Sequence, residues 1–325
     1  MGRIRRRRFL ITTGVLLAAP LAAHAQQPRV YRVGVVLLGG PYSAAVNGLR
    51  DGLKELGLEE GKQLILHVRD VRSDPKAVET AAKHLEDEKV DLIYSVTTSA
   101  TIAVKRATKS VPIVFYAGND PVASGLVESL GRPGGRVTGI HSRQTTLMAK
   151  RIELLKEMIP GLRRVLILYN PGNPIARQST AVARDAARQL NVELIERQVA
   201  SVEELRATLD ALRPGEVDGV TYVDAMVVSQ TERIIDISRN KKLPVIIADQ
   251  ASVAKGILAS YGVNFHTMGR LAAKYVHRIL LGTNPTELPV EQVDRFGLVI
   301  NLKTAKALGI TIPKAVLARA DEVIE

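Results

Sequence analysis

The sequence has 325 residues, with 45 Lys and Arg against 33 Asp and Glu for a net charge of +12, six His, no Cys and no Trp. Without cysteine there are no disulfides, no thiolate catalysis, no iron–sulfur or zinc–thiolate site and no lipid-modified cysteine, and the scarcity of aromatic residues argues against a stacking groove for single-stranded nucleic acid. The length allows two domains, each with its own core.

In chain order, residues 1–25 read first as an export signal peptide. Arg5-Arg6-Arg7-Arg8-Phe9-Leu10 is a basic start, Ile11 to Ala22 a short apolar run, and Ala23-His24-Ala25 a small-x-small cleavage site before Gln26. Arg6-Arg7-x-Phe9-Leu10 also fits the twin-arginine export pattern. Arg3 and Arg5 to Arg8 leave with this segment, so the processed chain carries +7, and a nucleic-acid-binding arm is not expected. The expected product is exported, periplasmic and without a stable membrane insertion.

The body alternates apolar strands with amphipathic helices. The first half reads as strands over Tyr31 to Leu38, Gln63 to Arg69, Asp91 to Val96, Pro112 to Tyr116 and Arg136 to Ile140. Between them lie a helix with Val46, Leu49, Leu53 and Leu56 on one face, one opened by Asp74-Pro75 and running to about Glu88, and one over Ser99 to Lys109. The pattern then restarts. A helix carries Met148, Ile152, Leu155 and Ile159. Strands over Arg164 to Tyr169, Val192 to Arg197, Val217 to Tyr222, Pro244 to Ala248 and Ile257 to Tyr261 alternate with helices over Ile175 to Leu190, Val202 to Leu212 and Val227 to Asn240. A last helix spans Phe265 to Leu281, and a further crossing falls near Val290 to Val299.

This is an α/β chain of two similar doubly wound lobes with parallel sheets. The expected division places 26–142 with 264–290 in the first lobe and 143–263 with 291–325 in the second. In open parallel sheets ligands bind beyond the carboxyl ends of the strands, so the loops after the strands are the candidates. They are Gly39-Gly40-Pro41-Tyr42-Ser43, Thr97-Thr98-Ser99, Ala117-Gly118-Asn119-Asp120-Pro121, Val223-Asp224 and Ala248-Asp249-Gln250. Thr97, Thr98 and Ser99, where a strand becomes a helix, suit either an anion such as a carboxylate or plain helix capping. Asp224 and Asp249 precede expected helices and either hold a ligand ammonium or cap those helices. Asn119-Asp120-Pro121 reads first as a turn, with Asp120 capping a short helix, and Asn170 in Asn170-Pro171-Gly172-Asn173-Pro174 is a possible cleft residue. His141 sits near the lobe boundary.

No GxGxxG fingerprint, Walker pattern, HExxH or GxSxG motif is present. No cofactor or metal is expected, and no catalytic set can be assembled.

The residues that remain match a known family. They include Val111-Pro112-Ile113-Val114-Phe115 running into Asp120-Pro121-Val122-Ala123-Ser124-Gly125-Leu126-Val127, then Pro133-Gly134-Gly135-Arg136-Val137-Thr138-Gly139. Further on are Leu258-Ala259-Ser260-Tyr261-Gly262, Phe296-Gly297-Leu298-Val299-Ile300-Asn301-Leu302-Lys303-Thr304-Ala305 and the ending Leu317 to Ile324. The chain resembles the substrate-binding proteins of ABC importers, in the group that includes tryptophan- and tyrosine-type binders. The resemblance implies a type I periplasmic binding protein, whose two lobes close on a small carboxylate or amino acid and then dock on a permease with its ATPase. It implies ligand contacts at Thr97, Thr98, Ser99, Asn119, Asp120, Asp224 and Asp249, with Gly39 and Gly40 in the first loop and Tyr261 on the hinge side, in a monomer that is not an enzyme. Gly39-Gly40-Pro41 departs from the polar or His-containing loop expected of aromatic amino-acid binders, which points away from an aromatic ligand. A sensory receptor, or an enzyme on the same scaffold, would share these features.

Overall fold

The computed structural model describes residues 29–72 and 74–325. The leader and its twin-arginine pattern lie outside the described residues. Among those residues no helix is long and apolar enough to cross a membrane.

Two sheets organise the chain. The first takes β1 (Tyr31–Leu37), β2 (Leu64–Asp70), β3 (Leu92–Val96), β4 (Ile113–Ala117), β5 (Val137–Ser142) and the late strand β11 (Glu291–Val293) in the order β11-β5-β4-β3-β1-β2. Every pairing in it is parallel. The second takes β6 (Arg164–Tyr169), β7 (Glu193–Gln198), β8 (Gly219–Tyr222), β9 (Val245–Ile247), β10 (Ala259–Gly262), β12 (Gly297–Asn301) and β13 (Glu322–Ile324) in the order β13-β12-β10-β9-β8-β6-β7. Its single antiparallel pairing joins β10 to β12. The orders β2-β1-β3-β4-β5 and β7-β6-β8-β9-β10 superimpose element for element, so each lobe reverses direction once, between its first and third strands.

The central strands are continuous apolar runs because helices cover both of their faces: β3 and β4 are buried throughout. The covering helices of the first lobe are α1 (Ser43–Glu55), α2 (Pro75–Asp87) and α3 (Thr98–Ala107). Those of the second are α4 (Leu147–Met158), α5 (Pro174–Gln189) and α6 (Val202–Ala211), with the pair α7 (Ala225–Ser229) and α8 (Thr231–Lys241). The single helix expected over Val227 to Asn240 is thus two, broken at Gln230, where ψ turns to 19°. Leu56, expected on the buried face of α1, follows the helix end and is exposed.

The chain crosses between the lobes after β5, after β10 and after β11. The second crossing returns it as α9 (Phe265–Leu280), which lies against α1. That contact is glycine-lined: a methyl group on Gly48 would stand 1.9 Å from the His266 carbonyl, and one on Gly269 would stand 1.9 Å from the Ala45 carbonyl. Only hydrogen at these two positions lets the backbones approach so closely. The third crossing follows β11, which extends the first sheet three residues past the expected 290/291 boundary. The remaining tail forms β12, α10 (Leu302–Leu308), α11 (Lys314–Leu317) and β13 on the second sheet, elements that the sequence pattern left unassigned.

Candidate ligand-binding cleft

Each sheet reverses its strand order at one point, and the loops flanking it open a crevice. In the first lobe these are the loops after β1 and β3; in the second, those after β6 and β8. The four loops face one another, and between them lie two adjoining cavities. The larger, of about 500 Å³, is lined from the first lobe by Leu38, Ser99, Ile102 and Asn119 among others, and from the second by Asn170, Asn173, Ile175, Asp224 and Met226 among others. The smaller, of about 60 Å³, lies between Tyr42, Thr97, Thr98, Ser99, Tyr116 and Phe265 on one side and Val223, Ala225, Val228 and Ala248 on the other, with Gln144 and Thr145 of the first crossing.

On the first-lobe wall the hydroxyl groups partner one another. Thr97 caps α3, its Oγ1 accepting from the Ala100 N–H at 3.2 Å and lying 3.3 Å from Ser99 Oγ. Thr98 Oγ1 donates to Asn119 Oδ1 and accepts from the Gly118 N–H. Thr97 holds φ +95°, a conformation that a β-branched residue rarely takes. It is fixed there by its N–H to the Tyr116 carbonyl and by its own carbonyl, which accepts from the Thr101 N–H and hydroxyl. Strain of this kind clusters at ligand sites.

On the second-lobe wall, Asp224 is buried and caps α7, its Oδ1 accepting from the Met226 and Val227 N–H groups and its Oδ2 from Asn173 Nδ2 at 2.9 Å. Burial pushes this carboxyl up, against the pull of those hydrogen bonds. Asp249 is also buried, and burial raises it too; its Oδ2 accepts from Ser252 and its Oδ1 has no partner. The segment after Asp249 is a turn, not the expected helix. Asp249 lines neither cavity, but its charge reaches Tyr42, Tyr116 and Tyr222.

Of the ten residues expected at the site, Ser99, Asn119 and Asp224 line the larger cavity, and Thr97, Thr98 and Ser99 the smaller. The other five, Asp249 among them, lie elsewhere. Asp120 is exposed and accepts from the Val122 and Ala123 N–H groups, closing a turn where a helix was expected. Tyr261 is half-buried beside Phe296, ring centroids 6.4 Å apart, outside both cavities. Gly39 and Gly40 also line neither. Gly39 lies against the Asp70 carboxylate of its own lobe, while Gly40 carries the loop to the second lobe: a methyl group on Gly40, at φ +57°, would stand 2.7 Å from the Ser229 carbonyl oxygen.

Tyr42, in that same loop, is the residue the sequence reading passed over. It is buried, its ring is 5.0 Å from Phe265, and burial first and then the charges of Tyr116, Asp224 and Asp249 hold its hydroxyl far above the ordinary phenol range. Its position in a post-strand loop was visible; its reach into the second lobe was not.

These features have counterparts in known proteins. The profile of the family described as ABC transporter substrate binding protein matches residues 32–324. The chain belongs to this family. Over 266 residues it is 29% identical to a tyrosine-binding protein of Clostridioides difficile, covering 81% of this chain and 76% of that one. Among solved structures it is similar to an ABC domain in complex with L-Trp from Streptococcus pneumonia, at 27% identity and a TM-score of 0.80, covering 91% of this chain and all of that one. It is also similar to the ligand-free, open structure of a substrate-binding protein with adhesive properties from Clostridium difficile, at 26% identity and a TM-score of 0.61, covering 91% of this chain and 99% of that one. At nearly equal identity the match is far better to the L-Trp complex than to the open form. Within this chain the first-lobe loop closely approaches the second lobe at Gly40 and Ser229.

Proposed function

We propose that this substrate-binding protein is the periplasmic receptor of an ABC importer, that it captures an amino acid between its lobes, and that it hands the amino acid to a permease. The observation that carries the reading is the pair of cavities at the facing switch points, with the buried Asp224 side chain on one wall. A carboxylate held in a buried cap attracts an ammonium group strongly, because the hydrogen bond is charge-assisted and water is excluded.

The larger cavity favours an apolar side chain on the ligand. Its walls include Leu38, Val78, Ile102, Ile175 and Met226, and its volume of about 500 Å³ suits a large residue. The first loop had argued against an aromatic ligand. Neither glycine lines a cavity, and Gly40 makes the lobe-to-lobe approach, so these two residues do not oppose an aromatic side chain. The named ligands of the relatives, tyrosine and tryptophan, support the same class for this chain.

Closure works as a population shift. The closed form leaves Asp249 Oδ1, Gln144 Nε2, Thr145 Oγ1 and Arg151 Nη1 buried without partners, and unpaired buried polar groups disfavour a closed but empty cleft. Of these, Gln144 Nε2 and Thr145 Oγ1 belong to residues that line the smaller cavity, and a ligand that pairs with them shifts the balance toward closure. A thermal-shift screen of the twenty amino acids tests the reading: L-tyrosine or L-tryptophan raises the melting temperature by mass action. No shift with any amino acid would remove it.

A further inference from the structure

If the ligand is an amino acid, its two charged ends need opposite surroundings, and the side chains around the first crossing separate them. Arg151, on α4, is wholly buried. Its Nε donates to the Tyr261 carbonyl at 2.8 Å and its Nη2 to Gln144 Oε1, while Nη1 has no partner. Among the described residues it makes no ion pair; the groups whose charges bear on it are the phenols Tyr116 and Tyr261. A buried guanidinium with neutral partners alone retains a large unbalanced field.

That field is passed on through Gln144. The Gln144 backbone N–H is tied to the Gly118 carbonyl at 2.8 Å, so the residue is fixed beside the loop after β4. With Oε1 committed to Arg151, the orientation of the amide is decided: Nε2 is the end left over, buried and without a hydrogen-bond partner, on a side chain that neighbours the Tyr116 hydroxyl. The adjacent Thr145 Oγ1 is buried and unpartnered as well. Gln144, Thr145 and Tyr116 all line the smaller cavity. Donors without acceptors therefore gather at one end of the cleft, backed by a cation that has no counter-ion. The hydroxyls of Thr97, Thr98 and Ser99, by contrast, are already engaged with one another and with Asn119.

We infer that the ligand carboxylate is received by Gln144 and Thr145 at the hinge end of the cleft, with Arg151 as the buried positioning residue that orients the Gln144 amide and supplies the balancing charge, while the ligand ammonium faces the carboxylates of the second lobe. This rests on the amino-acid reading and deepens it. The site would reject a ligand whose carboxylate is replaced by a neutral group, since the field of Arg151 would then stay unbalanced.

The test is calorimetric titration of the protein and of two variants with L-tyrosine, L-tryptophan and their carboxamides. The wild type should prefer each acid to its amide by roughly tenfold or more, the scale of a hydrogen bond to a charged group. Gln144→Glu keeps the shape, gives Arg151 an internal carboxylate, and places an oxygen where the amide nitrogen stood. It should stay folded, with a melting temperature no lower than the wild type, and lose the acid-over-amide preference. Thr145→Val, which removes a single donor, should weaken the acids severalfold and leave the amides unchanged; it keeps the test decisive should Gln144→Glu not fold. An unchanged acid-to-amide ratio in these variants would overturn the assignment while leaving the amino-acid reading standing. A wild type that binds no amino acid at all would overturn that reading and the assignment together.

Discussion

The two lobes carry the same five-strand order, and their third strands end in the same place, yet the loops that follow differ in kind. After β3 the chain offers Thr97, Thr98 and Ser99, neutral groups that partner one another and hold a strained backbone. After β8 it offers Asp224, a buried anion in an unstrained cap at φ −64°. The topology supplies two equivalent crevices, and the side chains make them unequal. The first lobe contributes shape and neutral contacts. The second contributes charge, through Asp224 on the cavity wall, with Asp249 buried outside both cavities. A ligand held between such walls has a defined direction, which two identical walls would not impose.

The sharpest way to break this asymmetry is to neutralise the charged wall. Asp224→Asn keeps an oxygen for the Met226 and Val227 N–H groups but removes the charge. Affinity for an amine-bearing ligand should fall by about 1.5–3 kcal/mol, the worth of a charge-assisted hydrogen bond. Calorimetry reads this directly, and wild-type affinity in the variant would show that the second wall does not meet the ammonium. A second test works on closure. Gly40→Val places a side chain against the Ser229 carbonyl at a position where φ is +57°. The lobes should then be held apart, with ligand release faster by roughly tenfold, about 1.4 kcal/mol, and little change in association. Small-angle scattering should show a ligand-loaded variant that stays more extended than the loaded wild type. The smallest of the three substitution effects belongs to the neutral wall: Ser99→Ala should cost about 0.5–1.5 kcal/mol of affinity. A larger loss than that of Asp224→Asn would reverse the comparison between the walls.

How much of this could be read in the sequence varies with the range of the interaction. Local patterns located β6 to the residue and the caps at Asp74 and Asp224, because strand runs and N-caps are decided within a few residues. The post-strand loops were found by the same reasoning, since the strand order then dictates where they open. What local pattern could not show was anything set by the approach of the lobes. Gly40 reads as part of a ligand loop because nothing nearby in the sequence shows that Ser229 will stand over it. Asp120 matched a family motif, but its carboxylate is spent on its own turn. Gln144 and Arg151 carried no signal at all. They sit in a polar connector and on a helix face that reads as ordinary, and their isolation from any carboxylate is visible only in three dimensions.

The pH response gives the mildest test of the charged wall, and its sign follows from burial. Both Asp224 and Asp249 are raised above their ordinary value near 3.8, chiefly because burial penalises the charged form. A carboxyl raised in the folded state contributes stability that is fully present below its unfolded value and is lost as the pH rises through its folded one. In the empty protein, then, these two groups favour folding below their raised values and oppose it above them. Other carboxyls act in the opposite sense: Asp218, held low by the Arg163 and Arg164 N–H groups, contributes stability that is lost on acidification. The two contributions separate in a difference measurement. The melting temperature of Asp224→Asn should exceed that of the wild type most above the raised Asp224 value, where the wild type buries a charge, and the gap should close as the pH falls through it. Ligand reverses the order. An ammonium group stabilises the ionised carboxylate, so affinity should fall on acidification in the wild type and fall less steeply in Asp224→Asn. Equal slopes in the two proteins would place the ammonium away from Asp224 and leave Asp249, with its unpartnered Oδ1, as the group to replace next.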